Sequence, residues 1–208
     1  MFNIKKIVTG VFQENTYLVY KNQSVVIIDP GDDFANIDKF IIENDLKPKA
    51  ILGTHGHIDH VASANKFKEK YGIPFYLNSE EQFNLDYLKE LSERYNVKYW
   101  GTPKIDVDLS KENEVEIDGL NIQIIQSPGH SAGGVLFKID DTVFCGDTIF
   151  RNSIGRTDLP GGNMETLRKT ILENIYTLPD ETKLYPGHIE MTTVGYEKKN
   201  NQYIKKEN

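Results

Sequence analysis

Seven residues, Thr54 to His60 (THGHIDH), set three imidazoles and a carboxylate directly after the run Lys49 to Leu52. Such a density of nitrogen and carboxylate donors points to a metal site. On an extended segment residues i and i+2 face the same way, so His55 and His57 can converge on one ion, and Gly56 between them adds no bulk. Asp59 and His60 follow at a loop-to-helix junction. Asp59 suits the N-cap of a helix over Asp59 to Tyr71, along which Val61, Ala64, Phe67 and Lys68 approximate a stripe. One ligand pair then stands before the helix and another at its start, which points to two neighbouring ions.

An isolated histidine is more often structural or solvated than a ligand, but clustering changes the balance. The chain has five histidines, three of them in this run, and His130 and His188 each follow Pro-Gly, in SPGH and YPGH. Two tight turns that each present one histidine read as ligand delivery from loops.

At 208 residues the chain suffices for one domain with a proper core, expected to span 1–208. Its 38% hydrophobic and 11% aromatic content is ordinary for a globular protein. No apolar run approaches the roughly 20 residues of a membrane helix, and MFNIKKIVTG lacks the build of a signal peptide, so a cytoplasmic protein without a membrane partner is expected. A formal net charge of -7 argues against a nucleic-acid partner, which would require a basic face. The one cysteine, Cys145 in TVFCGD, reads as a small buried hydrophobe on a strand. The closing KKNNQYIKKEN reads as a solvated tail.

Taken in order, Ile4 to Val8, Asn15 to Tyr20 and Ser24 to Ile28 are β-rich runs that predict a meander, closed by Asp29-Pro30-Gly31. Helical spacing follows over Phe34 to Leu46, then a strand Ala50 to Gly53 leads into the histidine run, and Ile73 to Leu77 is a strand again. Ser79 to Tyr99 reads as a polar helix with a packing stripe of Tyr87, Leu88, Leu91 and Tyr95. Asp118-Gly119 between Glu114 to Ile117 and Leu120 to Gln126 signals a hairpin. Strands Gly134 to Ile139 and Thr142 to Cys145, a helix over Asn163 to Leu178 and a last strand Lys183 to Tyr185 complete the chain. Every candidate ligand falls at the C-terminal end of a strand, and the order suits two sheets with helices outside.

Together, THGHIDH at 54–60, SPGHSAGG at 127–134, FCGDTIF at 144–150, IGRTDLPGG at 154–162 and YPGHIEMTT at 185–193 resemble the metallo-β-lactamase superfamily, above all its single-domain glyoxalase II-like hydroxyacylglutathione hydrolases. The resemblance covers nearly the whole chain. It implies an α/β fold, a four-layer αββα sandwich, with a dinuclear metal site at one edge. His55, His57 and His130 match the ligands of a first ion; Asp59, His60 and His188 match those of a second; Asp147 matches the bridging carboxylate. Three neutral imidazoles on a four-coordinate zinc leave one position open for water, as catalysis requires.

The implied chemistry is hydrolysis of a thioester of the S-lactoylglutathione type. A water shared by two divalent ions, zinc first and iron or manganese according to supply, has its pKa lowered towards about 7 and attacks the carbonyl as hydroxide. Arg156 matches a position where related enzymes carry a cation facing the thiol's carboxylate; an ordinary surface ion pair is the competing reading of that residue. No C-terminal helical domain of the kind that holds glutathione in two-domain glyoxalase II is expected from the resemblance, so the motifs leave the thiol unspecified. Two other functions compete. A persulfide dioxygenase of the same superfamily would use one iron on the equivalents of His55, His130 and Asp147, although such relatives tend to carry alanine where this chain has Gly187. A non-catalytic metal-binding module would use the same ligands without turnover.

Overall fold

The computed structural model describes residues 1–205. The chain opens with the meander β1 (Asn3–Thr9), β2 (Glu14–Lys21) and β3 (Ser24–Ile28), then runs α1 (Phe34–Glu43), β4 (Lys47–Leu52), α2 (Ile58–Val61), α3 (Ala64–Tyr71) and β5 (Phe75–Leu77). A single 3-10 turn, Ser79–Glu81, leads into α4 (Gln82–Asp86) and α5 (Leu88–Tyr95), and the short β6 (Val107–Asp108) closes this half. The second half is β7 (Glu114–Ile117), β8 (Leu120–Gln126), β9 (Val135–Ile139), β10 (Thr142–Gly146), the small hairpin β11 (Ile149–Phe150) and β12 (Ser153–Ile154), α6 (Met164–Thr170) widening into π geometry over Ile171–Ile175, β13 (Lys183–Pro186), β14 (Thr192–Thr193) and α7 (Val194–Asn200).

Two six-stranded sheets result, in the orders β1-β2-β3-β4-β5-β6 and β14-β13-β10-β9-β8-β7. The inner strands β2, β3, β9 and β10 are buried on both faces, and this is written in apolar runs whose successive side chains point opposite ways. In the first sheet Leu18, Val25, Ile27 and Ile51 face the helices and pack with Ile37, Ile41 and Phe67 of α1 and α3. Their neighbours Val19, Val26, Ile28 and Leu52 turn inward and meet Ile122, Ile124, Val135, Phe137 and Phe144 of the second sheet. Leu136, Val143 and Cys145 leave that sheet on its far side for Leu167, Ile171, Ile175 and Val194. The four layers are therefore helix, sheet, sheet, helix, as the motifs implied. No helix among the described residues is long and apolar enough to cross a membrane.

Three local expectations change. Asp59 does not cap a helix: His57 occupies the cap position of α2, and Asp59 lies in the first turn with its carboxylate turned to His188 and His60. The expected helix over Ser79 to Tyr99 breaks at Tyr87 into α4 and α5, and Tyr87 and Tyr95 stay exposed while Leu88 is buried. The C-terminal segment is not a solvated tail as far as it is described. Within it Ile204 is fully buried against the α6 layer, and Asn201 is held by the buried Glu197. Its hydrophobic anchor is a single isoleucine, too little for a periodic signal. Residues 206–208 of that segment lie outside the described residues.

Candidate metal centre

The seven candidate side chains reach one edge of the sandwich because each leaves the C-terminal end of a strand. His55 and His57 follow β4, with Asp59 and His60 on α2 just beyond; His130 follows β8, Asp147 follows β10 and His188 follows β13. Nε2 of His130 stands 3.2 Å from Nε2 of His55 and 3.0 Å from Nδ1 of His57, so three imidazole nitrogens converge on one point. Beside them, Nε2 of His188 lies 3.3 Å from Asp59 Oδ2 and 3.5 Å from Asp147 Oδ2, and Nε2 of His60 lies 3.4 Å from Asp147 Oδ1. Asp147 Oδ2 is also 3.6 Å from His130 Nε2, which sets this carboxylate between the two groups. The donor atoms of His55, His57 and His130 lie within 4.8 Å of one another, and so do those of Asp59, His60 and His188. Either group could hold a metal ion.

The tautomers are fixed from outside. Nδ1–H of His130 donates to the Arg156 carbonyl at 2.8 Å, and Nδ1–H of His60 donates to Asp29 Oδ2 at 3.0 Å, which turns Nε2 of each ring inward. Asp29 further accepts from the Thr54 amide at 2.7 Å and the Thr54 hydroxyl at 2.6 Å. It bends the chain as well, with φ at 49°, so the Asp-Pro-Gly that reads as a simple turn also supplies a ligand's anchor. Sequence reasoning missed Asp29, and it missed the buried Glu81, whose carboxylate accepts from the amides of Gly56 and Gly133. Nothing in the local pattern separates either from an ordinary turn or helix-face acid.

Two atoms at the centre decide whether a cation fits. Nε2 of His60 and Oδ1 of Asp147 are buried and make no hydrogen bond. Orphaned polar atoms in an interior cost free energy, and a cation between them would satisfy both. Electrostatics divide the cluster. Burial, with His60, His57 and His130 as neighbours, pushes His55 well below the ordinary imidazole value, and burial beside His130 lowers His57 to about 4. Both rings are neutral and ready to ligate. Burial acts the same way on His60, but Asp147, Asp59 and Asp29 outweigh it and raise that ring well above the usual value. For His188 hydrogen bonds to Asp147 and Asp59 overcome burial and raise it to about 10. Without a cation, those two imidazolium protons neutralise the carboxylates in its stead; a metal entering there must displace them.

Arg156 sits at the rim with its side chain engaged. Its guanidinium forms a two-pronged ion pair with Asp158, at 2.7 Å for both bonds, and its side chain is 60% exposed. The residue meets the centre through its backbone carbonyl, on His130. Cys145 is fully buried with its thiol raised by that burial, which suits a packing role.

Residues 9–188 match the family model described as the metallo-beta-lactamase superfamily. Among curated proteins, the chain is 35% identical to the hydroxyacylglutathione hydrolase GloC of Haemophilus influenzae, over 97% of this chain and 98% of that one. Among solved structures, it resembles the di-iron-bound form of TTHA1623 with a TM-score of 0.87 at 33% identity, covering 96% of this chain and 100% of that one. It also resembles the BLEG-1 B3 metallo-beta-lactamase with a TM-score of 0.89 at 32% identity, covering 98% and 99%. A shared core, a ligand cluster at the strand ends and a sequence match over most of the chain agree: this protein belongs to the metallo-beta-lactamase superfamily.

Proposed function

We propose that the protein is a two-metal hydrolase of thioesters of the S-lactoylglutathione type, with His55, His57 and His130 holding one divalent ion, Asp59, His60 and His188 a second, and Asp147 shared between them. Zinc is the ion that such a mixed imidazole and carboxylate set would take first, with iron or manganese according to supply. When bound, the pair of ions supplies a water acidic enough to act as nucleophile at neutral pH and an electrophile for the carbonyl oxygen. The chain's own part is orientation. Asp29 and the Arg156 carbonyl hold the rings of His60 and His130 with Nε2 inward.

The observation that supports an ion beyond the three-histidine group is the pair of orphaned atoms, His60 Nε2 and Asp147 Oδ1, since His60 belongs to the second group. A mono-iron dioxygenase using His55, His130 and Asp147 would leave His57, Asp59, His60 and His188 without a task. Gly187 favours the same side. A Cβ there would come closer than 3.0 Å to Asp147 Oδ1 and to the His60 ring, so this chain cannot carry alanine without opening the second group of ligands. The likeness to GloC favours a thioester over the β-lactam that the BLEG-1 name suggests.

The test is turnover of a panel comprising S-lactoylglutathione, a cephalosporin and glutathione persulfide, with metals counted on protein purified without chelator. Thioester hydrolysis with two ions per chain is expected. Hydrolysis unchanged in Asp59→Asn and His57→Ala, with metal content also unchanged, rejects the scheme, and oxygen consumption with one iron per chain decides for the dioxygenase. Metal binding with no turnover of any substrate decides for a non-catalytic module.

A further inference from the structure

The first three-histidine group is assembled from loops that come from opposite halves of the chain, His55 and His57 from one and His130 from the other. Between these loops, on neither of them, lies Glu81 at the end of the 3-10 turn Ser79–Glu81. It is fully buried and belongs to no ligand group. Its Oε2 accepts from the amide of Gly56 at 2.8 Å, and Gly56 is the residue between His55 and His57. Its Oε1 accepts from the amide of Gly133 at 2.7 Å, three residues after His130. Asn84 donates a third bond at 2.7 Å and fixes the carboxylate's orientation. Each oxygen thus grips one ligand loop.

Both grips depend on glycine. A Cβ on Gly56 would lie 3.1 Å from Glu81 Oε2 and from the Glu81 carbonyl, and a Cβ on Gly133 would lie 2.9 Å from Glu80 Cβ and Asn78 Cγ. The 3-10 turn that presents Glu81 is itself fixed, since Asn78 caps it at the Glu80 amide and Asp108 accepts from the Ser79 amide. A carboxylate with two acceptor oxygens is the group that can hold two loops by their N–H donors at once.

We propose that Glu81 is a positioning residue that sets the distance between the His55–His57 loop and the His130 loop, and thereby the metal affinity of the three-histidine group and not of its neighbour. The inference rests on the two-metal reading above. The second group, Asp59, His60 and His188, has its own anchor in Asp29 and in the bonds of Asn15 to the carbonyls of Pro186 and Ile189, none of which involves Glu81.

Glu81→Gln is the decisive variant because it keeps the shape and removes one acceptor: an amide oxygen can serve one glycine while its NH2 faces the N–H of the other. Cobalt(II) titration of the metal-free protein, followed by absorption and by ions bound per chain, reads each group separately. The expected result is a loss of about tenfold or more in affinity at the three-histidine group, on the scale typical of outer hydrogen-bond partners, with the second group within about twofold of wild type. Gly133→Ala attacks the same contact from the other loop and should shift the same group. Glu80→Gln, which removes an equal charge one residue away on the exposed side, should shift neither. Equal weakening of both groups, accompanied by a lower melting temperature of the metal-free variant, would mark a general structural role and overturn the proposal; so would unchanged affinity at the three-histidine group. If wild-type protein binds no ion, the two-metal reading itself falls, and that result is visible before any variant is made.

Discussion

At the scale of single residues, the centre is governed as much by groups that hold the candidate ligands from outside as by the seven candidates themselves. Asp29 fixes the His60 ring and holds Thr54 by both its amide and its hydroxyl. An asparagine there loses one acceptor, so the imidazole is released to rotate or the Thr54 contact opens. Asp29→Asn is expected to weaken the ion proposed at His60 by about tenfold to a hundredfold, measured by competition with a chelator of known affinity. Sequence inspection separates these groups sharply from the seven. Histidines spaced i, i+2 and i+5 in one heptad advertise themselves, and Pro-Gly-His twice over does the same. Asp29 and Glu81 look like any turn or helix acid, because their partners are backbone amides far along the chain. Arg156 illustrates the converse: its side chain drew notice, but the atom that reaches the centre is its carbonyl oxygen, which every residue type possesses.

Elements read from the sequence differ from those observed mainly where tertiary contacts compete with local preference. The inner strands were legible because both faces are apolar, the outer β8 because its residues alternate buried and exposed, and the helices α1 and α6 because one face is apolar. The single helix expected over Ser79 to Tyr99 is divided, and the division places Glu81 in a tight turn instead of on a smooth helical face. Asp108 holds that turn to β6. Burial is the largest single influence and raises its carboxyl, but hydrogen bonds from Ser110 and Ser79 together outweigh it and lower it to about 2. A carboxylate depressed in the folded state contributes stability above its unfolded value of about 3.9, and the contribution disappears as pH falls through about 2. Asp108→Asn should therefore shallow the acid limb of the stability curve between about pH 4 and pH 2, measured by urea unfolding of metal-free protein. The turn at Pro128-Gly129 makes a second case. Gly129 has φ of 130°, and a Cβ on it would run into the Leu167 backbone in the middle of α6. Gly129→Ala should cost at least about 1–3 kcal/mol and move His130, visible together as a lower melting temperature and weaker metal binding.

On the scale of the whole molecule, the C-terminal segment matters more than its composition suggests. Ile204 is fully buried against α6 and the second sheet, and the Tyr176 hydroxyl donates to the carbonyls of Glu197 and Ile204. Ile204→Ala is expected to destabilise by about 2–5 kcal/mol, which differential scanning calorimetry would record as a clear drop in melting temperature. The halves meet through specific bonds as well as apolar area: Asn15 N–H to the Gly187 carbonyl at 2.7 Å, the Tyr17 hydroxyl to the Pro186 carbonyl at 2.7 Å, and Val135 N–H to the Thr54 carbonyl at 2.8 Å. Each group of donors draws on both sides of this seam, His55 and His57 with His130, Asp59 and His60 with His188 and Asp147. Any cation captured there acts as a staple. A backbone nicked between Lys111 and Asn113, in the span joining the two sheets, would leave fragments whose re-association is tightened by every ion they share, because a ligand that binds only the joined form draws the pieces together by mass action.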